Sequence, residues 1–344
     1  MRRIFFFIIC ATPMSLFAQG ITLTGTTYSY PVVHVAPGQI TTLFVTGLKS
    51  VPSSQTVNAA GLLLPTMLAG VSVTLIQTGS QPAPVPLLSI QQISVCSNSA
   101  ASPLPSPAAV PPDCLITAIT VQIPFELSLV RNSEIPPPYT TALVVTDNGN
   151  VSRTFSVVPV TDNLHVMNTC DVFPSPKIIQ VLQPITSSNP PCASLVSHGN
   201  GDLITADDPA QPGEEIVIWA YGLGQTAPAS TTGQTSPLPA ATLSSFLYLQ
   251  FDFRVNATPS RPYINPLIMA AIPTPAPIFV GLTPGQVGLY QINVRIPDLI
   301  PAVGTCTSGA TIISPYNMIQ SNLTIDIGAP ASFDGAAICV QPPQ

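Results

Sequence analysis

The sequence predicts an all-β protein, two tandem antiparallel β-sandwiches behind a secretory leader, and three observations carry that prediction. One motif is written twice. Residues 36–48 (APGQITTLFVTGL) and 211–223 (QPGEEIVIWAYGL) both open on Pro-Gly and close on Gly-Leu, with ten residues from Pro37 to Gly47 and ten from Pro212 to Gly222. The 41 prolines in 344 residues interrupt the chain too often for long helices, because each ring removes a backbone donor and clashes with the preceding turn. Between those breaks, apolar and polar residues alternate with a period of two, the pattern of half-buried strands.

Taken in order, the chain begins with Arg2 and Arg3, an apolar run over residues 4–11 and the small-residue site Ser15, Leu16, Phe17, Ala18. This reads as a signal peptide over residues 1–18. Its apolar core is too short to span a bilayer, and no later run reaches 18 apolar residues without a break, so no transmembrane segment is expected in the mature chain. Cys10 lacks a small residue before it, which argues against lipidation. Residues 21–30, rich in threonine and tyrosine, read as an opening strand. In the first motif copy Thr41, Leu43 and Val45 share one face and Thr42, Phe44 and Thr46 the other. At an offset of 175 the second copy sets Ile216, Ile218 and Ala220 against Val217, Trp219 and Tyr221, so Phe44 and Trp219 are equivalent.

Residues 71–77 and 87–96 are the next predicted strands, and the Ser/Ala/Pro stretch 97–113 is a loop. Residues 117–123 alternate strictly and stop at Pro124. Residues 290–296 do the same and stop at Pro297. From Gly47 to Pro124 is 77 residues and from Gly222 to Pro297 is 75, which extends the repeat and predicts a tandem duplication. Asn148-Gly149 is a hairpin turn between strands at 140–146 and 153–160, and 310–314 with 321–327 are the matching strands of the second half. Short strands at regular spacing with turn residues between them indicate antiparallel sandwiches. The predicted division is a leader (1–18), a first sandwich (19–165), a proline-rich, disulfide-tied connector (166–207) and a second sandwich (208–344).

Hydrophobic residues make up 46% of the chain and charged ones 7%, against roughly 25% charged in ordinary soluble domains. Disorder driven by charge is thereby excluded. Without Arg2 and Arg3 the mature chain keeps seven Lys and Arg against 15 Asp and Glu, and no basic cluster suits a phosphate backbone, so no nucleic-acid partner is expected. The six cysteines beyond the leader are even in number and bound for an oxidising compartment. Of the pairings open to them, sequence neighbours are the simplest: Cys96 with Cys114, Cys170 with Cys192 and Cys306 with Cys339. Each would restrict the unfolded chain by roughly 3 kcal/mol. None has the close spacing of a zinc site.

The strings at 208–224 (DPAQPGEEIVIWAYGLG) and 281–297 (GLTPGQVGLYQINVRIP) resemble the uncharacterised C-terminal domain of secreted acidobacterial proteins, the Solibacter-type family. The first half, with Pro37-Gly38, Gly47, Leu48, VQIP at 121–124 and the Asn148-Gly149 turn, resembles the partner domain that precedes it. The resemblance implies immunoglobulin-like sandwiches of the IPT/TIG kind in a secreted or surface-associated bacterial protein with no assigned reaction. The loop at 96–114 departs from a minimal copy.

Chemistry is sparse. The three histidines, His34, His165 and His198, lie in or beside predicted turns, and no G-x-S-x-G elbow precedes a helix. His198, Ser197 and Asp202 read as a polar hairpin tip. Residues 198–208 place Asp202, Asp207 and Asp208 as the candidate metal ligands, but the first position of a calcium loop is His198 and the twelfth is Pro209. Glu214 and Glu215 are adjacent and so face opposite sides of a strand, unlike a glycosidase pair. The candidate ligand-binding residues are the aromatics Trp219, Tyr221 and Tyr248. No catalytic residue and no cofactor is expected. The predicted function is a non-catalytic secreted, periplasmic or cell-surface interaction protein with an envelope protein or polysaccharide as partner. A carbohydrate-binding module is the first alternative, and a secreted hydrolase using His165 or His198 the weaker one.

Overall fold

The computed structural model describes residues 21–26, 33–51, 56–94, 115–129, 140–152, 154–172, 192–263, 276–307 and 319–343. The leader, the Cys96–Cys114 loop, the interior of the expected connector and the strand expected at 310–314 lie outside the described residues. In the first half the strands are β1 (Thr22–Thr26), β2 (His34–Val35), β3 (Ile40–Thr46), β4 (Thr56–Asn58), β5 (Met67–Leu68), β6 (Val71–Gln77), β7 (Ala83–Val85), β8 (Leu87–Ser94), β9 (Leu115–Gln122), β10 (Thr141–Asp147), β11 (Asn150–Val151) and β12 (Phe155–Pro159). In the second they are β13 (His165–Val166), β14 (Val196–His198), β15 (Glu215–Tyr221), β16 (Thr226–Ala227), β17 (Thr242–Leu243), β18 (Tyr248–Asp252), β19 (Phe279–Leu282), β20 (Tyr290–Arg295), β21 (Leu323–Gly328) and β22 (Phe333–Ile338). A single helical turn, α1 (Thr169–Val172), breaks the all-β pattern among the described residues.

The first half is a sandwich of the sheet β1-β3-β9-β8-β4 and the sheet β2-β12-β10-β6-β5, with β11 on β10 and β7 on β6. The second combines β13-β15-β20-β19-β17-β16, with β14 on β15, and β18-β21-β22. The immunoglobulin order puts strands A, B, E and D on one sheet and C, F and G on the other. Both halves follow it: β3, β9 and β8 are B, E and D of the first, with β6, β10 and β12 as C, F and G. In the second, β15, β20 and β19 are B, E and D, facing β18, β21 and β22. β2 adds to β12 in parallel in the first half, and an isolated parallel bridge joins Ala210 to Val340 at the same place in the second.

The two repeated motifs meet in space. In the first half the Gly38 amide donates to the Ile123 carbonyl at 3.0 Å and the Ile123 amide to Gln39 at 2.8 Å. In the second, Gly213 donates to Ile296 at 3.1 Å and Ile296 to Glu214 at 2.9 Å. Thus the Pro-Gly turn, which carries the chain from one sheet to the other, is clamped by the strand that ends in Ile-Pro. Gly38 and Gly213 have φ of 71° and 79°, a left-handed geometry that glycine adopts without a Cβ clash, which explains the Gly at this position in both copies.

Alternation gives each half its core. Leu43, Val45, Val73, Leu75, Ile119, Val121, Leu143 and Val145 fill the first. Ile216, Ile218, Leu249, Tyr290, Ile292, Ile325 and Ile327 fill the second. Phe125, from the first half, is buried in the second cluster. The ends of the expected connector are strands rather than spacer: β13 and β14 both pair with β15, and Val166 and Val196 are buried in its core. The predicted Asn148-Gly149 hairpin is present, with positive φ at both residues and Asp147 opposite Asn150. The Cys306–Cys339 disulfide is formed and Cys192 is disulfide-bonded; the Cys170 side chain lies outside the described ones. β22 was not predicted: its sequence, FDGAAI, lacks the β-branched alternation that marks the other strands.

Tyr290 is fully buried and its hydroxyl donates to the Gly224 carbonyl. Burial pushes the phenol well above its ordinary value, so it stays a donor. Tyr290→Phe leaves that carbonyl unpaired and lowers stability by about 1–2 kcal/mol, read as a lower denaturation midpoint at unchanged slope.

The halves are joined by a polar seam. The short segment after β12 runs between them: the Asn163 amide donates to Gly222 at 2.8 Å and its side chain to the His34 carbonyl at 3.2 Å. A Cβ on Gly222 would overlap the Asn163 carbonyl, so glycine is required for this approach. A loop of the second half reaches back. Gln225 Nε2 donates to the Phe125 carbonyl at 2.6 Å, the Phe125 amide to Thr232 Oγ1 at 2.8 Å, and the Gly233 amide to Gln122 Oε1 at 2.6 Å.

Candidate functional site

Period-two alternation decides where the three candidate aromatics point. On β15, Ile216, Ile218 and Ala220 are buried, so Trp219 and Tyr221 stand half-buried on the outer face. On β18, Leu249 is buried, so Tyr248 stands on the outer face of the opposite sheet. The three therefore do not form one row. Tyr221 lies opposite His165 of β13, and its hydroxyl is pushed up to about 12, first by burial and then by the Asp171 carboxylate. It is a covered residue, not a platform.

Tyr248 lines a surface pocket of about 250 Å³ with Phe246, Arg261, Pro262, Gly328, Ala329 and Pro330. The Phe246 and Tyr248 rings meet edge to face, with centroids 4.9 Å apart and planes at 64°. Phe246 is 56% exposed. β18 and β21 are paired so that Tyr248 lies opposite Gly328, which places both at the end of the sheet where the turn to β22 begins. Arg261 reaches over that turn. It donates from Nη2 to the Ala331 carbonyl at 3.2 Å, makes a longer 3.5 Å contact from Nη1 to Ala329, and its Cζ lies 5.5 Å from the centre of the Phe333 ring. The turn is itself held from the seam, where Asp162 accepts from the Ala331 and Ser332 amides and the Ser332 hydroxyl. Sequence reasoning found Tyr248 and missed Phe246 and Arg261. Phe246 precedes β18, so no strand alternation marked it.

The candidate metal residues do not converge. Asp202 accepts from Asn200 Nδ2 at 2.8 Å, closing a turn. Asp207 is exposed, and Asp208 stands beside His198 instead, its carboxylate 3.5 Å from Nε2. Among the described residues no three His, Cys, Asp or Glu side chains gather as a metal site.

His165 and His198 are structural ties. His165 Nε2 lies 2.7 Å from Asp171 and Nδ1 3.4 Å from Asp334, joining β13 to α1 and β22. His198 Nδ1 lies 2.6 Å from Glu214, whose other oxygen accepts from the Gln211 amide. Ser197, beside it in sequence, is buried with its hydroxyl unpartnered. Burial lowers the His198 imidazole, but the Glu214 hydrogen bond and charge, with Asp208, outweigh it and leave it raised above 6.5. A raised histidine stabilises the fold fully below its unfolded value and loses that contribution as pH rises through the folded one. This contribution is therefore lost as pH rises from about 6.5 through the raised value, by an amount that Glu214→Gln removes; parallel stability curves for the two proteins above that pH would contradict the assignment.

No family model and no curated protein matches the chain. Among solved structures it is similar to FdeC, an Escherichia coli adhesin, at 9% identity and a TM-score of 0.21, over 94% of this chain and 66% of that one. At that TM-score the likeness carries no argument. The class rests on the strand order: a protein of two immunoglobulin-like sandwiches. No described helix is long and apolar enough to cross a membrane.

Proposed function

We propose that this chain is a non-catalytic protein of the cell surface or extracellular space, in which two immunoglobulin-like modules act as one rigid unit that presents a binding pocket to an envelope partner. The observation that carries the reading is the seam. Asp162, between the modules, fixes the same turn that forms a wall of the Phe246–Tyr248–Arg261 pocket, so the joint between modules and the pocket are one construction. Pre-organisation of this kind reduces the ordering cost of binding. The Cys306–Cys339 disulfide supports an oxidising compartment, the resemblance of residues 208–224 and 281–297 to the secreted Solibacter-type domain supports export, and the Pro-Gly and Ile-Pro motifs present in both halves support their descent from one module. The test is a pull-down by the mature, oxidised chain from isolated envelope fractions and insoluble polysaccharides. Retention that survives washing and is lost in Phe246→Ala is the expected result. Capture of nothing from any fraction would sink the reading.

A further inference from the structure

We infer that the Phe246–Tyr248–Arg261 pocket binds a carboxylate-bearing sugar, a uronate residue at the end or side of an acidic polysaccharide. The inference rests on the interaction reading above and names its ligand class.

The charge is the first part of the argument. The chain is acidic, with nine Lys and Arg against 15 Asp and Glu, so a cation without a carboxylate is informative. Arg254 is paired with Asp252 and Arg295 with Asp298. Arg261 has no carboxylate partner among the described residues. It is nonetheless fixed, by the Ala331 carbonyl and the Phe333 ring. A guanidinium carries five N–H donors in a rigid fork, and the carbonyl contacts with Ala329 and Ala331 use only part of that capacity. The remaining donors suit a carboxylate, which takes two parallel hydrogen bonds from such a fork.

The walls and the size select a sugar. Phe246 and Tyr248 present two ring surfaces and Pro262 and Pro330 two aliphatic ones, apolar faces for the C–H side of a pyranose. The pocket holds about 250 Å³, just below the roughly 300–1,000 Å³ of sites for drug-sized ligands. That admits one ring rather than a length of peptide. Gly328 also lines it, and a Cβ there would come within 3.0 Å of Pro262.

The test is isothermal titration of the full mature chain with trigalacturonate and with its methyl ester, in which each carboxylate is neutralised by a methyl group. Trigalacturonate is expected to bind, with affinity falling as salt rises, and the ester to bind at least about tenfold more weakly, the scale of a charge-assisted pair. Arg261→Gln and the exposed Phe246→Ala should each cost about tenfold, while the melting temperature falls by no more than about 4 °C, the scale of one exposed contact. Equal affinity for acid and ester, wild-type binding by Arg261→Gln, no binding of trigalacturonate, or equal binding of a peptide ending in a free carboxylate would each overturn the inference. If envelope capture persists while trigalacturonate fails, only the ligand class falls; if both fail, the interaction reading falls with it.

Discussion

Asp162→Ala lowers the stability of the second sandwich by about 3–4 kcal/mol, the largest single loss expected from any side chain of the seam. Asp162 is 2% exposed. Its Oδ1 accepts from the Ser332 amide at 2.8 Å and the Ser332 hydroxyl at 2.6 Å, its Oδ2 from the Ala331 amide at 3.0 Å and the Thr161 hydroxyl at 2.8 Å. Hydrogen bonds to a charged acceptor contribute about 1.5–3 kcal/mol each, and their loss here strands buried backbone donors. Contributions within one network do not add fully, which keeps the total well below the simple sum of the four bonds. On calorimetry this is a fall of about 10 °C for a domain of this size. Asp162→Asn, which keeps the Oδ1 acceptor, should lose about half as much. Because the same turn walls the pocket, both variants should also weaken capture of the envelope partner. A loss below about 1 kcal/mol for Asp162→Ala would mean that the turn is set by its own Ala329 to Ser332 hydrogen bond and that the seam is incidental to it.

Removing the Cys306–Cys339 disulfide is expected to cost a similar amount. The bond spans 33 residues with Cα atoms 6.0 Å apart, and closing a loop of that length reduces the entropy of the unfolded chain by about 3–4 kcal/mol at 25 °C. It fastens the segment after β20 to the end of β22, whose sequence FDGAAI has little intrinsic strand preference. Cys306→Ser with Cys339→Ser should therefore lower the denaturation midpoint and raise the denaturant slope, because the unfolded chain exposes more surface. A slope equal to the wild type, with an unchanged midpoint, would place the stabilisation of β22 in its pairing with β21 alone.

Much of the fold was legible because its signals are local. The Pro-Gly turns, the Asn148-Gly149 hairpin and the alternating runs at 117–123 and 290–296 each specify their geometry within a few residues, and the structure holds β3, β9, β15 and β20 where those runs lie. Two elements show the limit. β22 forms from FDGAAI because Leu323 to Gly328 offers it a complete ladder of partners, so pairing overrides a weak local preference. The ends of the 166–207 connector became strands because the edge of β15 was open to them. Their sequence is proline-rich only in the interior, and composition averaged over the whole stretch hid the two short pairings.

The candidate site divides along the same line. The sequence by itself determined the faces of the two motif strands, and hence that Trp219 and Tyr221 share a side. It also determined the duplicated motif, whose glycines answer a backbone angle that only they adopt without strain. The tertiary structure alone decided that Tyr221 is covered and that Tyr248 lines a pocket. It decided too that Asp162 closes the turn beside that pocket from 170 residues away. The reason is range: a turn or an alternation is fixed by neighbours along the chain, whereas a pocket is fixed by which strands pair and in what register. Tyr248 meets Gly328 only because β18 and β21 align, and no periodicity in either strand records the other.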